Sequence, residues 1–180
     1  RRHGATIREC EPAQQIRAST ASEEDVEDPR FSPDGTRLVY TQRTTDQSTG
    51  KRATALFTVD LAGAPAKRLV QGEDGSYDPA WSPDANWIAF VQRNGKINDL
   101  WVVPAAGGQA TKLTDGRSVA SPVWSPDGAN IAFFEPDGTS FHVSYGAFSV
   151  GANGVPSLSK PDKLFSAGAI DAPSGMSWAR

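Results

Sequence analysis

The segment "DPRFSPDGTRLVY" at residues 28–40 joins an aromatic residue, a Pro-Asp-Gly turn and an apolar run. Nearly the same segment occurs twice more, as "DPAWSPDANWIAF" at 78–90 and "SPVWSPDGANIAF" at 121–133. The lead aromatics of the copies are Phe31, Trp81 and Trp124, which gives repeat lengths of 50 and 43 residues. Repeats of about 40 to 50 residues are typical of propellers, in which each repeat forms one four-stranded blade.

The Ser-Pro-Asp triplet after each lead aromatic predicts a tight turn between two strands. Proline presets φ at the second turn position, serine caps the first, and Gly35 or Gly128 tolerates the left-handed conformation that reverses the chain. Ala85 replaces this glycine in the second copy. If the position requires a positive φ, alanine costs about 1 kcal/mol relative to glycine, and otherwise this turn has a different geometry.

The segments after the turn predict the remaining strands of each blade. The second strand contains 38–40, 88–90 and 131–133, and because it does not alternate with polar residues, both of its faces should be covered. The small central residues Val39, Ala89 and Ala132 would let a neighbouring sheet approach closely. Third strands are predicted at 55–61, 99–105 and 141–150, and fourth strands at 67–70, 111–114 and, after a Gly/Ser/Pro-rich insertion at 151–161, at 162–166.

The fold predicted from these patterns is an all-β propeller of four-stranded antiparallel blades, with about three full blades and partial blades at both ends. The blades are assigned to 28–70, 71–114 and 115–165, with outer strands of a preceding blade in 1–27 and the start of a following blade in 166–180. Phe31, Trp81, Trp124 and Trp178 are predicted to be core wedges between blades. Either the two ends pair to close a four-bladed ring, or the chain is part of a larger propeller, which we favour because most propellers have four to eight blades.

These repeats resemble the TolB-type propeller family, whose hallmark is similar to the "WSPDG" followed by "IAF" in this sequence. The resemblance covers about residues 15–165, with Phe31 and Ala85 as departures from the pattern. It implies a periplasmic or extracellular binding scaffold, or the propeller portion of a prolyl-oligopeptidase-like peptidase. Similar repeats also occur in oligogalacturonate lyase, a polysaccharide lyase, and the fold does not decide among these functions.

Composition and motifs give little support to catalysis, cofactors or nucleic-acid binding. The net charge of −3 gives no electrostatic reason to expect DNA or RNA, and no apolar run is long enough to insert into a membrane. The sequence has no GxSxG elbow, P-loop or GxGxxG motif, and His3, His142 and Cys10 lie in no metal-binding or nucleophile pattern. We therefore predict no catalytic residue, no cofactor and no metal site.

The turn aspartates and the tryptophans each have a functional alternative. Asp34, Asp84 and Asp127 could be imagined as calcium ligands, but one carboxylate per blade does not supply the six to eight oxygens that calcium takes. Turn formation explains them better. The tryptophans could be stacking platforms for sugars or bases, although their fixed place in the innermost strand favours a core role.

One end of the blades is predicted to carry the longer, charged connections. These are "QRTTDQSTGKRA" at 42–53 and "QRNGKIND" at 92–99, beside the acidic segments at 21–28 and 72–78. Variable loops on a rigid frame commonly carry recognition, whereas the alternative is that the charges only keep the loops solvated. The predicted partner-binding face consists of Glu23, Glu24, Asp25, Arg43, Lys51, Arg52, Asp74, Arg93 and Lys96.

Together these patterns predict a non-catalytic module for protein binding or assembly. The alternatives are a propeller attached to a larger peptidase and a propeller polysaccharide lyase. The partner is expected to be a protein, with self-association or a second chain completing the propeller as further possibilities.

Overall fold

The structure, a computed structural model, describes residues 24–45, 49–70, 75–138 and 140–167. The strands in these ranges form three antiparallel sheets, which we call blades 1, 2 and 3. Blade 1 consists of β1 (Glu24–Phe31), β2 (Arg37–Thr45), β3 (Arg52–Asp60) and β4 (Lys67–Arg68), in that spatial order. Blade 2 consists of β5 (Ser76–Trp81), β6 (Trp87–Asn94), β7 (Ile97–Pro104) and β8 (Thr111–Lys112). Blade 3 contains β9 (Ala120–Trp124), β10 (Asn130–Asp137), β11 (Ser140–Val150), β12 (Pro156–Leu158) and β13 (Asp162–Ala167).

The prediction of an all-β propeller built of four-stranded antiparallel blades is confirmed. The sheets are not closed into a ring within the described residues, as expected of a partial propeller. The described part of the chain also contains no helix with the length and hydropathy needed to cross a membrane. The partial units predicted at 1–27 and 166–180 lie largely outside the described residues, so the domain boundaries remain predictions.

Blade 3 departs from the regular blade in its outermost layer. The insertion predicted as irregular contains β12, which pairs with the end of β11 through Phe148, Ser149 and Val150, while β13 pairs with the first half of β11. The fourth strand is therefore split into two pieces along one edge of β11. A Cβ atom on Gly146 would lie 2.8 Å from Leu158 Cγ and 3.1 Å from the Ser159 carbonyl oxygen, so a glycine is favoured where the end of β12 lies against β11.

The predicted long connections between second and third strands are shorter in the structure, and this part of the prediction is wrong. In blade 1, Arg43 and Arg52 lie within β2 and β3, because the two strands stay in register as far as Thr45. In blade 2, β6 and β7 are joined by a two-residue turn at Gly95 and Lys96, with a φ of 63° at Gly95. Glycine favours a tight hairpin turn because it adopts a positive φ readily. This preference decided the length of the connection, although the segment is polar.

The acidic segment at 21–28 is likewise not a loop throughout. β1 begins at Glu24 and pairs with β2 from that residue on, through Glu24 opposite Thr44 and Asp25 opposite Arg43. Charged residues can form a strand at this end of the blade because their side chains reach solvent, while the backbone N–H and C=O groups pair with β2.

The blades pack face to face, and each boundary is closed by an indole. The Trp81 Nε1–H donates to the carbonyl of Arg30 at 3.0 Å, and the Trp124 Nε1–H donates to the carbonyl of Ala80 at 3.1 Å. Each tryptophan therefore reaches the innermost strand of the preceding blade. Trp81 and Trp124 are only 9% and 7% exposed, as wedges between blades require.

Separate apolar cores fill the two boundaries. The aromatic face of blade 2 packs on the aliphatic face of blade 1, where Val39 and Leu56 are fully buried. The aromatic face of blade 3 packs in the same way on Ala89, Val91 and Val102 of blade 2. Both faces of β6 and β10 are buried, as the missing alternation predicted. In β2 this prediction is wrong, because only Val39 and Thr41, on the face towards blade 2, are fully buried.

Phe31 was predicted to be a core wedge, and the structure contradicts this because its side chain is 67% exposed. The aromatic face of each blade packs on the preceding blade, and no described residues precede blade 1. Trp178, the fourth predicted wedge, lies outside the described residues.

The Ser-Pro-Asp turns share one geometry in all three blades. Gly35, Ala85 and Gly128 have φ values of 70°, 57° and 72°, so Ala85 takes the left-handed conformation despite its Cβ atom. The alternative of a different turn geometry in the second copy is excluded. The serine hydroxyls of Ser32, Ser82 and Ser125 each donate to the aspartate two residues later, at 2.5, 2.5 and 2.6 Å.

Candidate functional site

The predicted partner-binding residues that the structure describes are brought to one end of the blades, which we call the loop end. Asp25 lies opposite Arg43 in the pairing of β1 with β2, and Arg52 lies opposite Thr45 in the pairing of β2 with β3. Arg93 and Lys96 lie at the corresponding end of blade 2, where the Arg93 N–H donates to the Gly75 carbonyl. Glu23 and Asp74 are outside the described residues.

Some charges at the loop end are paired with each other. The Arg43 guanidinium lies 2.8 Å from the Glu27 carboxylate, with the two side chains 40% and 39% exposed. Such an exposed pair contributes at most about 1 kcal/mol to stability. The pairing agrees with the solvated-charge interpretation for these two residues. The side chains of four further basic residues at the same end are exposed, namely Lys51, Arg52, Arg93 and Lys96.

A groove of about 570 Å³ runs along the innermost strands, on the side where the propeller axis lies. We call it the axial groove. Its lining comprises Asp28, Arg30, Phe31, Pro33, Asp78, Pro79, Ala80, Trp81, Pro83, Ser121, Pro122, Val123 and Trp124. The groove therefore extends from the middle of each inner strand to the turn prolines, and it combines aromatic and polar surface.

Each innermost strand contains a bulge that faces this groove. Asp28, Asp78 and Ser121 have φ values of 51°, 53° and 48°, and the strand pairing shifts register at each of these points. A proline follows in every case, which suits a bulge because proline cannot donate to the ladder. Left-handed non-glycine residues are uncommon and tend to occur at functional sites.

The bulges are also linked from blade to blade. The Ser121 N–H donates to Asp78 Oδ2 at 2.9 Å, so a carboxylate of blade 2 fixes the bulge of blade 3. The sequence analysis missed these residues. The available signal was the Asp-Pro, Asp-Pro and Ser-Pro pairs at one fixed distance before the lead aromatics.

A buried charged cluster lies at the boundary of blades 2 and 3. Glu135, whose side chain is 7% exposed, accepts two hydrogen bonds from Arg117 Nη1, at 2.8 and 3.0 Å. His142 Nε2 lies 3.3 Å from the same carboxylate, and the Ser144 hydroxyl donates to it. Serine and histidine thus both contact the carboxylate, and Ser144 is 1% exposed. The arrangement does not present a nucleophile to a substrate.

Asp99 completes the connection between these two blades. It is 2% exposed, pairs with Lys112 at 3.0 Å and accepts a long contact of 3.5 Å from the Arg117 N–H. Arg117 thereby contacts a buried carboxylate in each of two blades. The cluster thus stabilises the connection between blades 2 and 3, which is a structural role.

The turn aspartates act as turn-forming acceptors, as the sequence analysis preferred. Each accepts the serine hydroxyl and a backbone N–H two residues further on. Hydrogen bonds from the Ser32 hydroxyl and from Thr36 lower the pKa of Asp34 to about 2. Burial raises the pKa of Asp84, but the bonds from Ser82 and Asn86 outweigh it, and the pKa is lowered overall. Within the described residues, no group of three His, Cys, Asp or Glu side chains is arranged to hold a metal ion.

Comparison with known proteins agrees with this architecture. The family model of the TolB beta propeller domain matches residues 6–166. A structure of putative TolB from Agrobacterium tumefaciens superposes with a TM-score of 0.61 at 20% identity, covering 82% of this chain and 51% of that one. At this identity the superposition supports the fold alone.

Two curated relatives have peptidase names. The uncharacterized peptidase YuxL of Bacillus subtilis is 36% identical over 91 residues, which are 50% of this chain and 14% of YuxL. Dipeptidyl-peptidase 5 of Porphyromonas gingivalis is 40% identical over 65 residues, which are 36% of this chain and 10% of that protein. This chain thus spans only a small part of the relatives that it matches. With the family model matching most of its length, the chain belongs to the TolB beta-propeller domain family.

Proposed function

We propose that this TolB-type propeller is a non-catalytic recognition module that binds a protein partner through the loop end. One observation carries the proposal: the strand register gathers exposed basic residues of two blades at the same end of the molecule. Lys51 and Arg52 of blade 1 and Arg93 and Lys96 of blade 2 share that end with the acidic start of β1. Recognition residues on a rigid scaffold are a common use of such a fold.

Charge reversal tests the loop end. The double variant Lys51→Glu/Arg52→Glu is expected to lose most binding to a partner isolated with the unmodified chain, because opposite charges at the contact become like charges. The matched control is Lys67→Glu/Lys160→Glu, which changes the net charge equally with residues away from the loop end. Equal loss with the control, or unchanged binding by the loop-end variant in moderate salt, contradicts the proposal.

A second candidate is the propeller portion of a larger peptidase, and the two peptidase-named relatives favour it specifically. In this setting the propeller accompanies a hydrolase domain elsewhere in the protein. The parent open reading frame decides between the two: a hydrolase domain with Ser, Asp and His in that order supports the peptidase. A parent protein that lacks such a domain and cleaves no peptide substrate rejects it.

The proposed location is the periplasm or the extracellular space, as the TolB-type repeat implies. Fractionation of cells that express the parent protein tests this. Recovery in the cytoplasmic fraction would contradict the proposed location without affecting the recognition proposal.

A further inference from the structure

The two blade boundaries differ at one position. It lies at the end of the blades that carries the Ser-Pro-Asp turns, which we call the turn end and which is opposite the loop end. Arg37, Trp87 and Asn130 follow the lead aromatics of blades 1, 2 and 3 at the same distance. At the boundary of blades 1 and 2, the Arg37 guanidinium carbon lies 4.8 Å from the centroid of the Trp81 ring. Its Nη2 donates to the carbonyl of Ala85 at 2.9 Å.

Arg37 is therefore held by three groups of defined chemistry. These are the indole of the next blade, the carbonyl in the turn of the next blade, and the carboxylate of Asp34 in its own turn, which attracts the guanidinium electrostatically. A guanidinium suits this combination because it stacks on aromatic faces and donates in its plane.

The equivalent three groups line a groove at the boundary of blades 2 and 3. Trp124, Gly128 and Asp84 correspond in position to Trp81, Ala85 and Asp34, and all three border a groove of about 490 Å³. The position equivalent to Arg37 is taken by Trp87 at this boundary, so it supplies no guanidinium to the groove.

Two further aromatic residues extend the apolar wall of this groove. Phe148 packs edge-on at 4.7 Å from Trp124 and 5.9 Å from Trp87, measured between ring centroids. Trp87 and Phe148 are half-buried, so part of each ring remains accessible.

The groove also carries negative charge at its rim. Gly128 lies so close to Pro83 that a Cβ on the glycine would be 3.7 Å from Pro83 Cδ, which places the turns of blades 2 and 3 side by side. Asp84 and Asp127 of these turns both border the groove. Hydrogen bonds from Ser125 and the Ala129 backbone lower the pKa of Asp127, so both rim groups are ionised at neutral pH.

We propose that the groove between blades 2 and 3 binds an arginine side chain from a loop or terminus of a partner protein. The guanidinium stacks on the exposed aromatic surface, donates to the turn carbonyl and lies beside the carboxylates of Asp84 and Asp127. It thereby contacts the same kinds of group that hold Arg37 at the boundary of blades 1 and 2, but beside Trp87 and Phe148, which cover the Trp124 ring here. Because this groove is at the turn end, a result that contradicts arginine binding there leaves the loop-end proposal untouched, and the reverse also holds.

The test is a titration of the whole chain with acetyl-Gly-Arg-Gly-amide, followed through the indole Nε1–H signals in ¹H–¹⁵N spectra. Saturable shifts are expected at Trp87 and Trp124, with Trp81 unaffected because Arg37 covers it. The matched probe acetyl-Gly-Gln-Gly-amide should bind at least about fivefold more weakly, since it lacks the cation. Equal binding of both peptides overturns the proposal, as does an equal response to a neutral disaccharide.

Four variants locate the site. Asp84→Asn and Asp127→Asn should each weaken the arginine peptide about two- to fivefold, as expected for a charge at a partly exposed site. Asp34→Asn removes the same charge from the turn of blade 1 and should have no effect. Trp87→Arg recreates the arrangement of Arg37, and its groove should no longer respond to the peptide. Identical affinities for Asp34→Asn and the two rim variants overturn the proposal, even if Trp87→Arg does not fold.

Discussion

At the scale of single residues, the two described tryptophans of the repeat have a different role from the phenylalanine in the same position. Trp124 is buried against blade 2 and donates to the Ala80 carbonyl, whereas Phe31 is largely exposed. The same sequence signal thus gives two environments, because burial of the lead aromatic depends on the blade that precedes it.

We expect Trp124→Ala to reduce the free energy of unfolding by about 3 to 5 kcal/mol, through the lost contacts and the cavity left behind. The matched substitution Phe31→Ala removes a large aromatic side chain from an exposed position and should cost less than about 1 kcal/mol. Urea denaturation followed by circular dichroism measures both. A loss below 1 kcal/mol for Trp124→Ala would contradict its role as a wedge.

Ala85 is a residue under backbone strain, since its φ of 57° is in the left-handed region. Ala85→Gly should therefore stabilise the chain by about 0.5 to 1 kcal/mol. The reverse substitution, Gly35→Ala, should destabilise by a similar amount for conformational reasons alone, because a Cβ there meets nothing within 4 Å. Thermal melts compare the two, and a destabilised Ala85→Gly variant would refute the strain.

At the scale of elements, the Ser-Pro-Asp turn is a unit of six hydrogen bonds that depends on an ionised aspartate. The serine hydroxyl both donates to the aspartate and accepts from the backbone N–H that opens the second strand, as Ser32 does from Arg37 at 2.9 Å. Sequence alone predicted the turn and its residues. It could not decide the conformation at Ala85, because the cost of a left-handed alanine depends on how strongly the surrounding hydrogen bonds impose it.

The turn predicts a specific dependence on pH. The pKa of Asp34 falls from 3.8 to about 2 because Ser32 and Thr36 donate to its ionised form. A carboxyl with a lowered pKa in the folded state contributes stability that is complete above about pH 4 and is lost as the pH falls towards 2. Carboxyl ¹³C signals should give a midpoint near 2 for Asp34, and Ser32→Ala should raise it towards 3.8. An unchanged midpoint in this variant would show that the serine is not the cause.

The connections show where sequence reasoning fails at this scale. Polar composition suggested long loops at 42–53 and 92–99, but paired strands occupy half of the first segment and six of the eight residues of the second. Strand pairing satisfies backbone groups whatever the side chains are, so charged residues on an exposed strand resemble a loop in sequence. The bulges at the axial groove could not be predicted for a related reason. A shift of register is a property of two paired strands, and the sequence of one strand does not show it.

At the scale of the whole molecule, the order of the blades and their approximate length could be predicted from the sequence, because three copies in register define both. The site could be predicted only in part. The sequence placed Arg43, Lys51 and Arg52 near one end, but neither the axial groove nor the groove between blades 2 and 3 follows from one segment. Each is formed by residues of two or three blades that meet only after folding.

The exposed aromatic face of blade 1 predicts self-association of the isolated chain. Phe31, Val26 and Leu61 are 67%, 62% and 51% exposed, and large exposed apolar side chains on an open sheet favour association. We expect the mass from light scattering to rise with protein concentration. Phe31→Glu should lower this association by placing a charge in the face. The control Val155→Glu, at an exposed site in blade 3, should leave it unchanged, and a constant monomer mass would disprove the prediction.

The indole bonds give the array a direction. In both described boundaries the indole belongs to the later blade and its acceptor to the earlier one, so each of these bonds forms only when the earlier blade is already in place. During synthesis on the ribosome, order should therefore spread from the amino-terminal side, with each newly emerged repeat using the finished one as its template.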